Sequence, residues 1–335
     1  MKLLSAFACI AVLLATTAST PPPDLSSGTL ANREFLVQTR AGSGYARYFG
    51  TGSLDGSANA TRAIIIVHGV LRNADTYFGT GQIVLQAAHA KNTLLIAPQF
   101  VEQSDLNGHA VSPRTLRWDD EWPGGAYATA PASISTYEVF DAMLARLADR
   151  SRFPRMRDVV IIGHSAGGQI VQRYAVVGVG PSIVRNLHVH LIVANPSSYF
   201  YFDDWRPVPQ PNCANFNHWR YGPVGEPAYV RGTTAALEAR YVTRDVTYLL
   251  GTADTDAKEW DLDKTCAGEA QGPYRFARGK AYIAHTRERH PNGTSQDYAF
   301  VTGVPHDNRR MFTSPCGIAV IFDGDRSSCG SHGKV

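Results

Sequence analysis

The sequence has no run of lysine and arginine long enough to follow a phosphate backbone, and its formal charge of +3 is too small to argue for nucleic acid. A nucleic-acid partner is therefore not expected. Charged residues make up only 18% of the chain against 44% hydrophobic ones, and glycine and proline are spread out rather than clustered. That balance excludes a disordered tail and fits a folded globule. No apolar run reaches the roughly 20 residues that a membrane-spanning helix needs, so no stable membrane anchor is expected. Internal repeats are lacking, and so is low-complexity sequence beyond a short proline-rich leader. Cysteine is scarce, with five in 335 residues, and none falls in the paired short spacing of zinc knuckles. No metal is expected on that ground.

The N-terminus supplies a compartment. Lys2 precedes an apolar stretch over residues 3–15, and the small residues Thr16, Thr17 and Ala18 follow. The pattern is that of a secretory signal peptide over residues 1–18, cleaved near Ala18, which implies a secreted, extracellular or periplasmic protein. Pro21, Pro22 and Pro23 stiffen a leader over residues 19–30. Cys9 leaves with the signal, and Cys213, Cys266, Cys316 and Cys329 remain, an even number in an oxidising compartment. Two disulfides are expected. Three pairings are possible; the expected one joins Cys316 to Cys329 across a short C-terminal loop and Cys213 to Cys266.

The length suits one domain with a full core, expected over residues 31–325 with a tail at 326–335. Five nearly continuous apolar runs, at 63–67, 93–97, 159–162, 191–194 and 246–250, do not alternate as half-exposed strands would. Parallel strands covered on both faces read this way. Between them, Ile134, Tyr137, Phe140, Leu144 and Leu147 recur at helical spacing. Residues 33–38 and 45–49 add antiparallel strands at the start, and 298–301 a last one. Strand and helix in alternation predict an α/β fold whose mostly parallel central sheet is flanked by helices, with right-handed crossovers. The stretch 196–240, rich in proline, asparagine and aromatics, is too long for an ordinary connection and is expected to form a cap or lid insertion over the strand ends.

The segment Gly163-His164-Ser165-Ala166-Gly167 has the form G-x-S-x-G between a buried strand and a helix. It resembles the nucleophile elbow of the α/β-hydrolase superfamily, and the resemblance runs over about residues 62–312. Such an elbow holds the serine on a strained turn, with glycines flanking it where strand and helix cross. Ser165 is the nucleophile the resemblance implies; the alternative is a serine that only caps the helix. A serine hydroxyl needs a base, and in this superfamily the partners follow in the order serine, acid, histidine. After the strand at 246–250, Asp254 resembles the acid, with Asp256 in reserve and Asp203 or Asp204 after the preceding strand as a third choice. His306 ends the turn after the last strand, where the superfamily places its base; His285, His290 and His332 lack that setting. The turn His68-Gly69-Val70-Leu71 resembles an H-G-x oxyanion turn, so the backbone N–H groups of Val70, with Leu71 as neighbour, and of Ala166 are the implied oxyanion donors. The chain lacks the H-G-G-G form of many lipases and esterases.

Trp118 and Trp122, together with Tyr199, Phe200, Tyr201, Phe202 and Trp205 at the start of the cap, are candidates either to line an apolar substrate site or to fill the cap core. Asp119, Asp120 and Glu121 form an acidic cluster that reads as a solvated loop. The resemblance implies hydrolysis of a carboxylic ester, small or polymeric, through an acyl-enzyme and without a cofactor. An amidase or peptidase with the same residues and a non-catalytic binding protein on the same fold are the alternatives.

Overall fold

Residues 29–335 are described by the computed structural model, so the expected signal peptide, Cys9 and most of the leader lie outside the described residues. Among the described residues nine strands form one sheet: β1 (Arg33–Thr39), β2 (Gly42–Gly50), β3 (Arg62–Val67), β4 (Thr93–Gln99), β5 (Asp158–His164), β6 (His188–Ala194), β7 (Val246–Gly251), β8 (Asp297–Val301) and β9 (Ser331–Lys334). Their order across the sheet is β1-β2-β4-β3-β5-β6-β7-β8-β9. β4 through β8 run parallel, while β1, β2 and β9 pair antiparallel at the two edges.

Alternate residues of the parallel strands feed two separate cores, which is why their sequences are apolar throughout rather than every second residue. Ala63, Ile65, Val67, Val159, Ile161, Leu191 and Val193 face one way, against the helices Thr136–Ala148, Ala166–Val177, Thr234–Tyr241 and Arg275–Arg289. Ile64, Ile66, Val160, Ile162, Ile192 and Ala194 face the other, against the helices Ala74–Ala87, Asn308–Thr313 and Pro315–Ile321. The helix expected from the 134–147 periodicity runs over Thr136–Ala148. It begins with a capping box in which Ser135 Oγ accepts from the Tyr137 N–H and Glu138 accepts from the Ser135 N–H.

Residues 326–335, expected as a tail, instead carry β9, which closes the β8 edge of the sheet. Residues 196–233 are turns and irregular chain among the described residues. Two disulfides are present, Cys213–Cys266 and Cys316–Cys329, the pairing expected from the sequence. The first ties the 196–240 stretch to the chain beyond β7, and the second ties the helix Pro315–Ile321 to the turn before β9. No helix among the described residues is long and apolar enough to cross a membrane.

Candidate active site

Because β3, β5, β7 and β8 are parallel neighbours of one sheet, their carboxyl ends lie along one edge, and the turns leaving them meet above it. Ser165 stands at the end of β5 with φ 59° and ψ −124°, a backbone conformation costly for a residue with a Cβ. Its N–H donates to Ala194 O at 3.1 Å, and the helix Ala166–Val177 starts immediately after it. The side chain makes no cap bond to that helix. The flanking glycines are required by contact rather than by flexibility. A Cβ on Gly163 would run into the carbonyl of Gly167, and one on Gly167 into the carbonyls of Val67 and His68.

The turn after β8 brings His306 to the same place. His306 Nδ1 is 2.8 Å from Asp254 Oδ2. An ionised carboxylate can only accept, so Nδ1 carries the proton and Nε2 is left as the basic atom. Asp254 follows β7 in a turn closed by its own N–H to Gly251 O and by Ala253 N–H to Val304 O, which fixes it relative to the histidine turn. Asp254 is buried. Asp256 is exposed, and its carboxylate accepts the Lys258 N–H at 2.7 Å within its own turn. Asp203 pairs instead with His285 and Arg289.

Ser165 and His306 line a cleft of about 200 Å³ together with Gly69, Val70, Leu71, Asn73, Tyr77 and His164. The N–H groups of Val70 and Ala166 donate to no backbone carbonyl among the described residues. The turn that presents Val70 is shaped by His68, whose Nε2 accepts the Phe100 N–H at 3.0 Å while Nδ1 donates to Gly69 O at 2.8 Å. Burial pushes the His68 imidazole down to about 4, so it stays neutral and keeps that pattern.

No protein-family model and no curated protein matches the sequence. Among solved structures the chain is similar to a poly(3-hydroxybutyrate) depolymerase, LpqC, from Bordetella parapertussis, with 21% identity over 86% of each chain and a TM-score of 0.59. It is similar also to poly(aspartic acid) hydrolase-1 from Sphingomonas sp. KT-1, with 20% identity over 87% of this chain and 98% of that one, and a TM-score of 0.59. The chain has the α/β-hydrolase fold. At these identities the likeness is one of architecture.

The second wall of the cleft was not foreseen from the sequence. Glu259, Trp260 and Asp261 form it, and Arg275, fully buried, holds it from behind. Arg275 pairs with Glu259 through Nη1 and with Asp261 through Nη2 at 2.7 Å, and its Nε donates to Ser197 Oγ at 2.9 Å. Nη1 also lies 3.7 Å from Asp254 Oδ1. Asp261 Oδ2 is 3.6 Å from His306 Nε2, so the imidazole has a carboxylate at each nitrogen. Burial alone would pull the His306 pKa down, but the bonds to Asp254 and then Asp261 outweigh it and hold it above the ordinary histidine range, with Arg275 opposing them. Asp261 is also desolvated, yet His306 and Arg275 bring it down to about 2. His164, its ring tilted against that of His306 with centroids 4.4 Å apart, is driven well below its usual value by burial, then by His306 and Arg275. It remains neutral.

Asp254, Glu259 and His306 are the one group of three possible metal ligands among the described residues. Arg275 already lies against both carboxylates, and a second cation there would be repelled by the guanidinium.

The aromatic residues proposed for the pocket stand elsewhere. Trp118 and Trp122 are in the core, where Trp118 Nε1 donates to Ile134 O and Trp122 stacks on Phe100. Tyr199 is buried against Tyr282. Trp205 stacks flat on His285 at 4.1 Å. None of them lines the cleft with Ser165; no residue of 196–240 does. Large aromatic side chains complete a core more often than they wait for a ligand, and here the strand ends needed filling. The aromatic residues that do line the cleft are Tyr77 and Trp260, the latter half exposed at its mouth.

Proposed function

We propose that this chain is a serine hydrolase that cleaves carboxylic esters through an acyl-enzyme, in one catalytic domain whose sheet extends to β9. The observation that carries the reading is the strained Ser165 at the elbow, sharing one cleft with a histidine whose Nδ1 is held by a buried aspartate. Ser165 Oγ attacks the acyl carbonyl as His306 Nε2 takes its proton. Asp254 keeps the tautomer and stabilises the imidazolium that results. The oxygen that becomes negative is received by the N–H groups of Val70 and Ala166. Collapse of the tetrahedral species expels the alcohol, which takes the proton from His306 Nε2. Water then repeats the sequence on the acyl-enzyme and releases the acid.

No hydrogen bond joins Ser165 Oγ to His306 among the described residues, and His306 Nε2 faces Asp261. Such contacts commonly tighten only when substrate is bound. The charge of the cleft favours a neutral ester over an anionic polymer. Asp254, Glu259 and Asp261 bring three negative charges and Arg275 only one positive, so a chain of carboxylates would be repelled. The two disulfides support an oxidising, extracellular or periplasmic setting.

A fluorophosphonate probe followed by peptide mapping tests the assignment. It should label Ser165, and Ser165→Ala should abolish labelling and lower kcat on p-nitrophenyl esters by about 10⁴-fold or more. Labelling that survives the substitution refutes the nucleophile.

A further inference from the structure

Tyr77 occupies a position that neither the elbow nor the histidine pair explains. It lies on the first turn of the helix Ala74–Ala87, directly after the Gly69–Val70 turn, and it is buried among the cleft residues. A Cβ built on Gly69 would stand 2.8 Å from the Tyr77 hydroxyl oxygen and 3.7 Å from Ser165 Cβ, so the phenol reaches the space next to the nucleophile. The hydroxyl therefore lies against the Gly69 backbone at the oxyanion turn. It donates no hydrogen bond to another residue among the described ones, so its hydrogen is free for a group that enters the cleft. One helical turn further on, Thr80 Oγ1 donates to Asn308 Oδ1 at 2.9 Å, which fastens this helix to the one that follows His306. The ring is buried while the residue lines the cleft, so the hydroxyl is open to a ligand there.

We infer that Tyr77 is a third donor to the oxyanion, its O–H joining the N–H groups of Val70 and Ala166 when the acyl carbonyl is attacked. The inference rests on the reading of Ser165 as nucleophile. The phenol suits the task because it is preorganised: the ring is buried, the oxygen stands against the Gly69 backbone, and only rotation of the hydrogen remains. Burial, and then the nearby Asp261, keep it protonated, so it donates a hydrogen bond without giving up its proton. No bond is made or broken at Tyr77 during turnover.

Tyr77→Phe, in the full chain, keeps the ring and removes the donor. On p-nitrophenyl acetate the expected loss is about 10- to 100-fold in kcat, at or below what a single oxyanion donor usually supplies, with KM within about threefold. The inhibition constant of a trifluoromethyl ketone, which forms the oxyanion as a hemiketal on Ser165, should rise in proportion to the loss in kcat/KM. Because Phe also removes the oxygen that lies against the Gly69 backbone, a second variant carries 3-fluorotyrosine at 77, a stronger donor and weaker acceptor. Donation to the oxyanion holds or raises kcat in that variant, whereas a role confined to holding Gly69 lowers it. Unchanged kcat in Tyr77→Phe, a loss confined to KM, or a loss that follows a fall in Tm overturns the inference and leaves the serine hydrolase reading intact. A wild-type chain that neither turns over the ester nor reacts at Ser165 overturns both.

Discussion

Asp261 sets the pH at which His306 can act, and its neutralisation should move that pH downward. The resting histidine must be neutral to accept the serine proton, so kcat/KM rises with pH through the imidazole midpoint of the free protein. Every group facing His306 bears on that midpoint. Asp254 holds Nδ1, Asp261 faces Nε2, Glu259 stands beside them, and Arg275 and His164 oppose a positive charge. The carboxylates prevail, so the wild-type midpoint lies above the usual histidine value. In Asp261→Asn the imidazolium loses an opposite charge 3.6 Å away. At an effective dielectric constant of 20 that contact is worth at most about 4–5 kcal/mol, and an opposite charge at such range moves a pKa by roughly 1–3 units. Arg275 Nη2, at 2.7 Å, absorbs part of the Asp261 field, which argues for the low end of that range. The expected result is a midpoint lower by about one unit, with the alkaline plateau little changed, so that the variant outperforms wild type on the acid side by up to about tenfold. Initial rates on a neutral p-nitrophenyl ester from pH 5 to pH 9 measure it. A midpoint that stays in place or rises refutes the reasoning, because it would mean that Asp261 does not favour the imidazolium.

Asp254→Asn removes the acceptor at Nδ1 and should lower kcat by about 10⁴-fold, while Asp256→Asn, at an exposed turn, should stay within about tenfold of wild type; ester kinetics on the pair separate them. Arg275→Met leaves Glu259 and Asp261 facing Asp254 without their common cation, and a thermal or urea melt should show a loss of about 3–5 kcal/mol, the range for breaking a buried ion pair from one side. Trp260→Ala strips the aromatic surface from the mouth of the cleft, and it should raise KM for longer acyl chains with little change in kcat; equal KM for acetate and octanoate esters in both proteins would exclude a binding role.

The strands that build the sheet were readable because burial on both faces demands unbroken apolar runs, and the elbow because Gly163 and Gly167 must yield to crossing backbones. Asp254 and His306 could be picked out because each follows a strand by a short turn, so that order along the chain becomes nearness in space. The opposite wall of the cleft was unreadable for the same kind of reason. Glu259 and Asp261 look like solvated acids in a polar loop, and Arg275 like one more cation of a basic helix, Arg275–Arg289. Only the folded chain stacks that cation behind those acids and makes its burial tolerable. β9 escaped notice because Ser331, His332, Gly333 and Lys334 carry no apolar alternation; the strand is held by backbone pairing to β8 at an edge and not by side-chain burial.

The Cys213–Cys266 link encloses a segment of the chain whose two ends are 53 residues apart. Asp254, Glu259, Trp260 and Asp261 all lie inside it. A protease that nicks an exposed turn within that span, such as the one at Asp256, severs the backbone without releasing either fragment. The clipped protein keeps its mass on a non-reducing gel and falls into two pieces only when a thiol is added. The same covalent bond keeps the two sides of such a cut joined.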